Sequence, residues 1–454
     1  MDLDPLSLFR DLDANDALAV AVSGGSDSLA LLLLADTFVR RHRPALRLTA
    51  ITVDHGLRPE SAAEAAWVAG FCRERNIAHE TMIWRGDKPK AGLAAAAREA
   101  RYGLLADAAQ RAGACVVLVG HTLDDQAETL AMRAARAEGA GLAGMARATL
   151  FDGRVWIARP LLRLRRQALR DWLAARGIEW IDDPSNDNPA YERVRVRKAL
   201  TDADVERLGA EARRQALARQ ALAESAAAWI GRFASRPVPG LLRLDTAFPD
   251  TDGDTREAAI ISLRALLATT GGTPRLPDRA RVEALMRRLA GGAPMRATLS
   301  RTAVDARRAG IFIRREARDL PSVSLGAAPV LWDGRLRAFA ASGPEGWHIG
   351  PLGIEGAARF PADVQGDATP ALVRAARAAQ PALFCGKILI GPVFPPSSAG
   401  NGVPAVPAVA PFARFLPGFD RPLAAALHRL AGAPALPAPP WPEHIDPRMN
   451  GIDA

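Results

Sequence analysis

Lysine is scarce in this chain. Of 59 basic residues only Lys88, Lys90, Lys198 and Lys387 are lysines, and the remainder are arginines. Together with the abundance of alanine this reads as a coding bias, so arginine positions inform more than arginine number. Cysteine is scarcer still: Cys72, Cys115 and Cys385 lie far apart, with no C-x-x-C pair. That argues against a disulfide framework or a cysteine-ligated zinc site, and a reduced, cytoplasmic compartment is expected. No apolar run is long and charge-free enough to span a membrane. The opening MDLDPLSLFRDLDAND is acidic and has no apolar core, so no signal peptide is expected.

What remains is ample for folding. The chain has 454 residues, 49% of them hydrophobic, which sets two or three domains as the expectation. Its net charge of +9 favours a polyanionic partner, nucleic acid above all. The first part alternates short apolar runs with helical patterns. Strands are expected at 17–22, 46–53, 77–84, 115–120 and 155–161, with helices at 28–41, 61–75, 91–112 and from Leu123. This is the pattern of an α/β domain, a parallel sheet with helices on both faces. Such sheets bind ligands at the carboxyl ends of their strands. The expected domains are 1–200, then a helical and mixed middle domain at 201–320 entered through a long helical linker. A smaller mixed α/β region at 321–454 follows. WDGR at 332–335 reads as a hairpin turn. The proline-rich stretch after Gly391 is expected to pack loosely around one short helix near 421–431.

Three stretches carry chemistry. The first is VSGGSDS at 22–28, between a strand and a helix. Glycines allow positive φ and close backbone approach, and helix-start amides attract anions. Ser23, Gly24, Gly25, Ser26 and Ser28 therefore form a candidate phosphate cradle. The Walker pattern and its lysine are absent. Asp27 beside a phosphate calls for a cation, and Mg²⁺ is the expected one. A plain glycine-rich turn with a capping serine is the alternative. The second stretch is GHTLDDQAET at 120–129. Thr122 can cap a helix whose first turn holds Asp124 and Asp125, with Glu128 one turn on. The cluster suits a cation or an amine, or is an ordinary solvated acidic turn. The third is RVRVRK at 193–198. Read as an extended segment, it places Arg193, Arg195 and Arg197 on one face for phosphate or carboxylate binding, or as a charged edge strand.

S-G-G-x-D-S resembles the PP-loop of N-type ATP pyrophosphatases, of the adenine-nucleotide α-hydrolase-like fold. GHTLDDQAET closely resembles the signature of tRNA(Ile)-lysidine synthetases. VDHGLRPES at 53–61, AAREARY at 96–102, RPLL at 159–162, WIDDPSND at 180–187 and YERVRVR at 191–197 resemble further motifs of that family. Two departures stand out: Val194 where the family usually has asparagine, and Glu138 in the turn after the acidic helix.

The resemblance implies that ATP, with Mg²⁺ on Asp27, adenylates the wobble cytidine of the CAU-anticodon tRNA(Ile). Free L-lysine then displaces AMP to form lysidine. It implies nucleotide contacts at 23–28, Val53, Asp54, His55 and Gly120. Catalytic roles fall to Asp125 first, then Asp124, His121, Arg193 and Arg195, with tRNA gripped by the domains beyond residue 201. A homodimer is an arrangement compatible with the chain. Two other functions stay open: a PP-loop tRNA thiolase, for which no suitable cysteine spacing is present, and a non-catalytic tRNA-binding scaffold.

Overall fold

The structure, a computed structural model, describes residues 3–89, 91–136, 143–182, 188–253, 255–326, 329–338, 346–393 and 403–442. The chain divides into two compact units. The first comprises Met1–Arg219, Phe415–Phe419 and Pro437–Ala454, and the second Gln220–Arg414 and Asp420–Leu436.

The first unit opens with α1 (Pro5–Phe9), β1 (Ala17–Ala21), α2 (Ser26–His42), β2 (Arg47–Asp54), α3 (Ser61–Glu74), β3 (Ala78–Ile83) and α4 (Leu93–Arg111). It continues with β4 (Val116–Leu118), α5 (Leu123–Ala135), β5 (Ala148–Phe151), β6 (Val155–Ala158), α6 (Arg166–Ala174) and α7 (Glu192–Ala199). The long α8 (Asp202–Phe233) begins in this unit and ends in the second. The expected α/β architecture is present. In the sheet, β3, β2, β1, β4 and β6 lie side by side and parallel.

All five residues of β1 are buried, as a strand covered on both faces requires. Ala17, Ala19 and Ala21 pack with Tyr102, Leu105 and Ala109 of α4. Leu18 and Val20 alternate to the other face. β2 and β4 lie on opposite sides of β1, so the winding reverses there. The crevice at such a reversal is where doubly wound sheets take ligands, and the ends of β1, β2 and β4 lead into Ser23, His55 and Gly120.

Two features of the sheet differ from the expectation. β5 pairs antiparallel with β6, and the strand Phe415–Pro417 pairs antiparallel with β5. The proline-rich tail is therefore not loose over its described part. Leu416, Phe419 and Trp441 are buried, and the Arg147 guanidinium lies 3.9 Å above the Trp441 ring. Proline removes one donor, which an edge strand tolerates. The helix expected near 421–431 is Arg421–Ala431, closed by Gly432 in the left-handed region.

In the second unit a five-stranded antiparallel sheet, built from strands between Ala234 and Arg315, packs on helices Arg256–Gly271 and Arg279–Ala290. The WDGR hairpin joins Val330–Trp332 to Leu336–Ala338. Asp333 and Gly334 have φ of 48° and 69°, the positive pair of a primed β-turn that Arg335 N closes on the Trp332 carbonyl at 2.9 Å. The turn presses on Gly272, where a Cβ would meet the Asp333 carbonyl oxygen at 1.8 Å. The Asp333 side chain is wholly buried. It accepts from Arg315 Nε and Nη2 at 3.1 Å each, from Arg335 Nε at 2.7 Å, and from Arg301. Burial pulls Arg335 down to about 10, against the opposing charge of Asp333. Removing one member of a buried ionic cluster typically costs about 3–5 kcal/mol, because the others lose their counter-charge. Asp333→Ala is therefore expected to abolish or strongly lower the unfolding transition of the second unit in thermal denaturation. An unchanged melting profile would contradict the assigned role.

Candidate active site

The bend after β1 is shaped by hydroxyls and by one glycine. Gly24 has φ of +85°, and a Cβ there would lie 2.7 Å from Ile181 Cδ1. Ile181 N donates to the Gly24 carbonyl at 2.9 Å, which ties the 180–182 segment to the bend. Ser28 Oγ accepts from Ser23 N at 3.1 Å and donates to the Gly25 carbonyl at 2.9 Å. Ser28 thus holds the bend, while Ser23 and Ser26 lie on the cavity wall. The first amides of α2 have no acceptor within the helix and carry the positive end of its dipole. Gly120, after β4, lies against this turn, and a Cβ there would sit 2.9 Å from the Asp27 carbonyl oxygen. Only glycine lets the end of β4 meet the start of α2 so closely.

α5 starts beside the bend. Thr122 caps it in a reciprocal box: Asp125 Oδ2 accepts from Thr122 N at 2.8 Å and from Thr122 Oγ1 at 3.0 Å. The other oxygen, Oδ1, accepts from Arg166 Nη2 at 2.9 Å and Arg193 Nη2 at 2.7 Å. Glu128, almost fully buried, accepts from Arg193 Nε at 2.6 Å and Arg197 Nε at 2.7 Å, with Arg166 Nη1 at 3.4 Å. Asp124 accepts from the Arg166 backbone amide at 2.8 Å and from Arg165. Asp27 Oδ2 accepts from Arg166 Nε at 3.1 Å.

Burial pushes the Asp27 carboxyl up, Arg166 draws it back, and the charge of Asp125 adds to the rise. Burial also works against the Arg166 cation, but Asp125, Asp27 and Glu128 outweigh it and hold the guanidinium above the ordinary arginine value. Among the described residues no group of three His, Cys, Asp or Glu side chains could cage a metal by itself. Asp27 nonetheless fits Mg²⁺. Its carboxylate already faces a cation beside the bend, and Mg²⁺ is commonly held by one or two carboxylates together with phosphates.

Two cavities meet at Ser23, Gly25 and Arg101. The larger, ≈ 1060 Å³, takes in Asp27, Gly120, His121, Asp124 and Asp125. The smaller, ≈ 370 Å³, takes in Val53 and His55. Asp54 turns away from it, accepting from Ser61 Oγ at 2.6 Å and Gly56 N at 2.7 Å, and the Ser61 hydroxyl lowers its pKa. Asp54 therefore positions the β2–α3 turn.

The RVRVRK strip is not extended. It forms α7, in which Arg193 and Arg197 are one turn apart and both reach Glu128, while Val194 faces inward at 5% exposure. Arg195 points elsewhere, to the Pro189 and Ala190 carbonyls at 2.8 and 3.0 Å, and does not line the cavity. Alternating valine and arginine mimics a strand, but pairing a buried carboxylate with two arginines four residues apart favours the helix. Glu138 and residues 183–187 of WIDDPSND lie outside the described residues.

Comparison with known proteins accords with this geometry. Residues 5–204 match the PP-loop domain model. The tRNA(Ile)-lysidine synthase of Mesorhizobium japonicum is 47% identical, over 96% of this chain and 97% of that protein. That of Rhizobium meliloti is 38% identical, over 93% of each. The chain belongs to the tRNA(Ile)-lysidine synthase family. A solved U34-tRNA thiolase from Methanococcus maripaludis covers 46% of this chain, at 18% identity and a TM-score of 0.40, too slight a likeness to bear on function.

As a lysidine synthase family member the chain is a ligase, and its PP-loop domain is the part that uses ATP. Sequence reasoning about this family member missed three arginines in the cleft. Arg166 and Arg170 stand one turn apart on α6 and face the bend, Arg170 Nε lying 3.4 Å from Ser26 Oγ. Arg101 lines both cavities. For Arg166 and Arg170 the signal was the i, i+4 spacing in RRQALR, and for Arg101 its place in AAREARY.

His121 lies at the cavity wall with Nδ1 unpartnered. Burial, joined by Arg159, Arg101 and Arg98, drives its imidazole well below the usual value. A histidine depressed in the folded state stays neutral there while the unfolded chain protonates near pH 6.5. It therefore subtracts stability as pH falls below about 6.5. The His121 ring proton signal, assigned with His121→Gln, is expected to stay constant in NMR spectra from pH 7.5 to 6. A midpoint near pH 6.5 would contradict a neutral His121.

Proposed function

We propose that this chain ligates free L-lysine to the wobble cytidine of the CAU-anticodon tRNA(Ile). The observation that carries the reading is the junction of two sites. A helix-start phosphate bend and a paired carboxylate cluster, Asp125 with Glu128, lie within reach of one guanidinium, that of Arg166.

The cytidine 2-carbonyl oxygen attacks the α-phosphorus of ATP, and pyrophosphate leaves. The lysine ε-amine then attacks the activated ring carbon, and AMP leaves. The amides of residues 24–27, with Ser23 and Ser26, hold the phosphates, and Arg101, Arg166 and Arg170 offset their charge. Mg²⁺ bound at Asp27 would screen the triphosphate. Val53 and His55 line the cavity where adenosine fits.

Lysine arrives as an ammonium with a reference pKa of about 10.4 and must lose a proton before it attacks. Asp125 Oδ1, on the cavity wall, orients the ammonium. Asp125 takes the proton, with Asp124 and His121 on the same cavity wall. The target base has to be splayed from the anticodon loop. Parts of the chain beyond residue 201 grip the tRNA backbone by charge, as the exposed Arg287 and Arg288 can. Arg214, by contrast, is already paired with Glu211. A cytoplasmic setting, with reduced thiols, goes with this chemistry, and no described helix is long and apolar enough to cross a membrane.

The thiolase alternative is not favoured. The Cys72 thiol is buried in α3 and pushed up to about 11 by that burial, which suits packing rather than nucleophilic attack.

Incubating tRNA(Ile) with ATP and isotope-labelled lysine is expected to add one lysyl unit to the anticodon fragment by mass spectrometry. An unlabelled fragment, or one that has gained sulfur, would overturn the reading. Asp125→Asn keeps the oxygen that caps α5 and loses the base. It should lower kcat/KM for lysine by about 100-fold or more with the fold intact, and wild-type lysine kinetics would remove Asp125 from the mechanism.

A further inference from the structure

Arg166 opens α6, and its guanidinium is surrounded by acids. Nε lies 3.1 Å from Asp27, Nη2 lies 2.9 Å from Asp125, and Nη1 lies 3.4 Å from Glu128. The side chain is only 17% exposed. In the proposed reaction two of these acids serve other cations: Asp27 would hold the Mg²⁺ that screens the triphosphate, and Asp125, on the cavity wall, faces the ammonium. An arginine and an ammonium cannot share one small cluster without repulsion.

The hydrogen bonds of Asp125 sharpen the conflict. Its Oδ2 is committed to Thr122, so only Oδ1 can receive the substrate, and Oδ1 already holds Arg166 and Arg193. Glu128 would keep Arg193 and Arg197 if Arg166 left, so the buried acid would stay compensated. Arg166 has somewhere to go. It sits beside Asp27 at the phosphate bend, and Arg170 on the same helix face already reaches Ser26. A guanidinium fork fits phosphate as well as carboxylate.

We propose that Arg166 is an exchangeable counter-ion that couples the two small substrates. It neutralises Asp27, Asp125 and Glu128 until a triphosphate reaches the bend. It then turns to the phosphate oxygens and vacates one of the two places on Asp125 Oδ1 for the lysine ammonium, the other staying with Arg193. The inference rests on the reading of this cleft as an ATP and lysine site. It makes nucleotide the promoter of lysine binding and, by reciprocity, lysine the promoter of nucleotide binding.

Equilibrium dialysis of labelled L-lysine against the full chain tests this. The dialysis is run with Mg²⁺, with and without an ATP analogue carrying a methylene bridge between the α and β phosphates. In the wild type the analogue is expected to tighten lysine binding by about 10-fold or more. Arg166→Met keeps the apolar stem and removes the charge. Its ratio should fall towards one, with lysine binding in the absence of analogue tighter than in the wild type. Arg166→Lys should retain part of the ratio.

A clamp that merely held α6 in place would change absolute affinities and thermal stability, not the ratio. A wild-type ratio of one overturns the proposal, as does a full ratio in Arg166→Met. Reciprocal titration of the analogue in the wild type, with and without lysine, tests the coupling without any variant. If the wild type binds the analogue but no lysine in either state, the assignment of the cleft as a lysine site fails, and the coupling fails with it.

Discussion

Charge compensation governs the cleft. Four carboxylates, Asp27, Asp124, Asp125 and Glu128, are gathered at the starts of α2 and α5, beside a bend built to attract anions. Two of them, Asp125 and Glu128, are buried. Unpaired buried carboxylates would cost several kcal/mol each or take up protons. The fold meets this with arginines from two further helices: Arg165 and Arg166 from the start of α6, and Arg193 and Arg197 from α7. The local structure of residues 190–199 follows from the same need. Arg193 and Arg197 can both reach Glu128 only if the chain is helical there.

A similar device recurs in the second unit, where Asp333 is closed in by Arg301, Arg315 and Arg335. Arginine suits both places. It stays charged when desolvated, and its planar fork gives several directed bonds to one acid. A lysine in the place of Arg315 could neither make that bidentate contact nor hold its charge as firmly once buried. The near absence of lysine, read at first as a coding bias, thus has structural use in this chain.

Much of the site was legible because its signals are local. Positive φ at Gly24 and at Asp333–Gly334 is written in short motifs, and Thr122 followed by Asp125 announces a capped helix. The alternation of apolar runs and helices set the parallel sheet and placed Ser23, His55 and Gly120 on one edge of it. What escaped depends on distant partners. Valine–arginine alternation looks like a strand until Glu128 is brought alongside. The strand Phe415–Pro417 lies more than 250 residues from its partner β5, and no local pattern links them. Arg166 and Arg170 lie one turn apart on the polar side of α6, with no local motif around them. Only packing α6 beside α2 turns that side toward the phosphate bend. Asp54, a nucleotide contact by resemblance, has a structural task that its sequence position did not show: it accepts from Ser61 and Gly56.

The account stands on the bend at residues 23–28 as the seat of a triphosphate. A crystal structure of the full chain with the methylene-bridged ATP analogue and Mg²⁺ tests this most directly. The expected result is phosphate oxygens within hydrogen-bond distance of the main-chain amides of residues 24–27, with the adenine in the cavity lined by Val53 and His55. Nucleotide bound in another cavity, with the bend left to solvent, would contradict it.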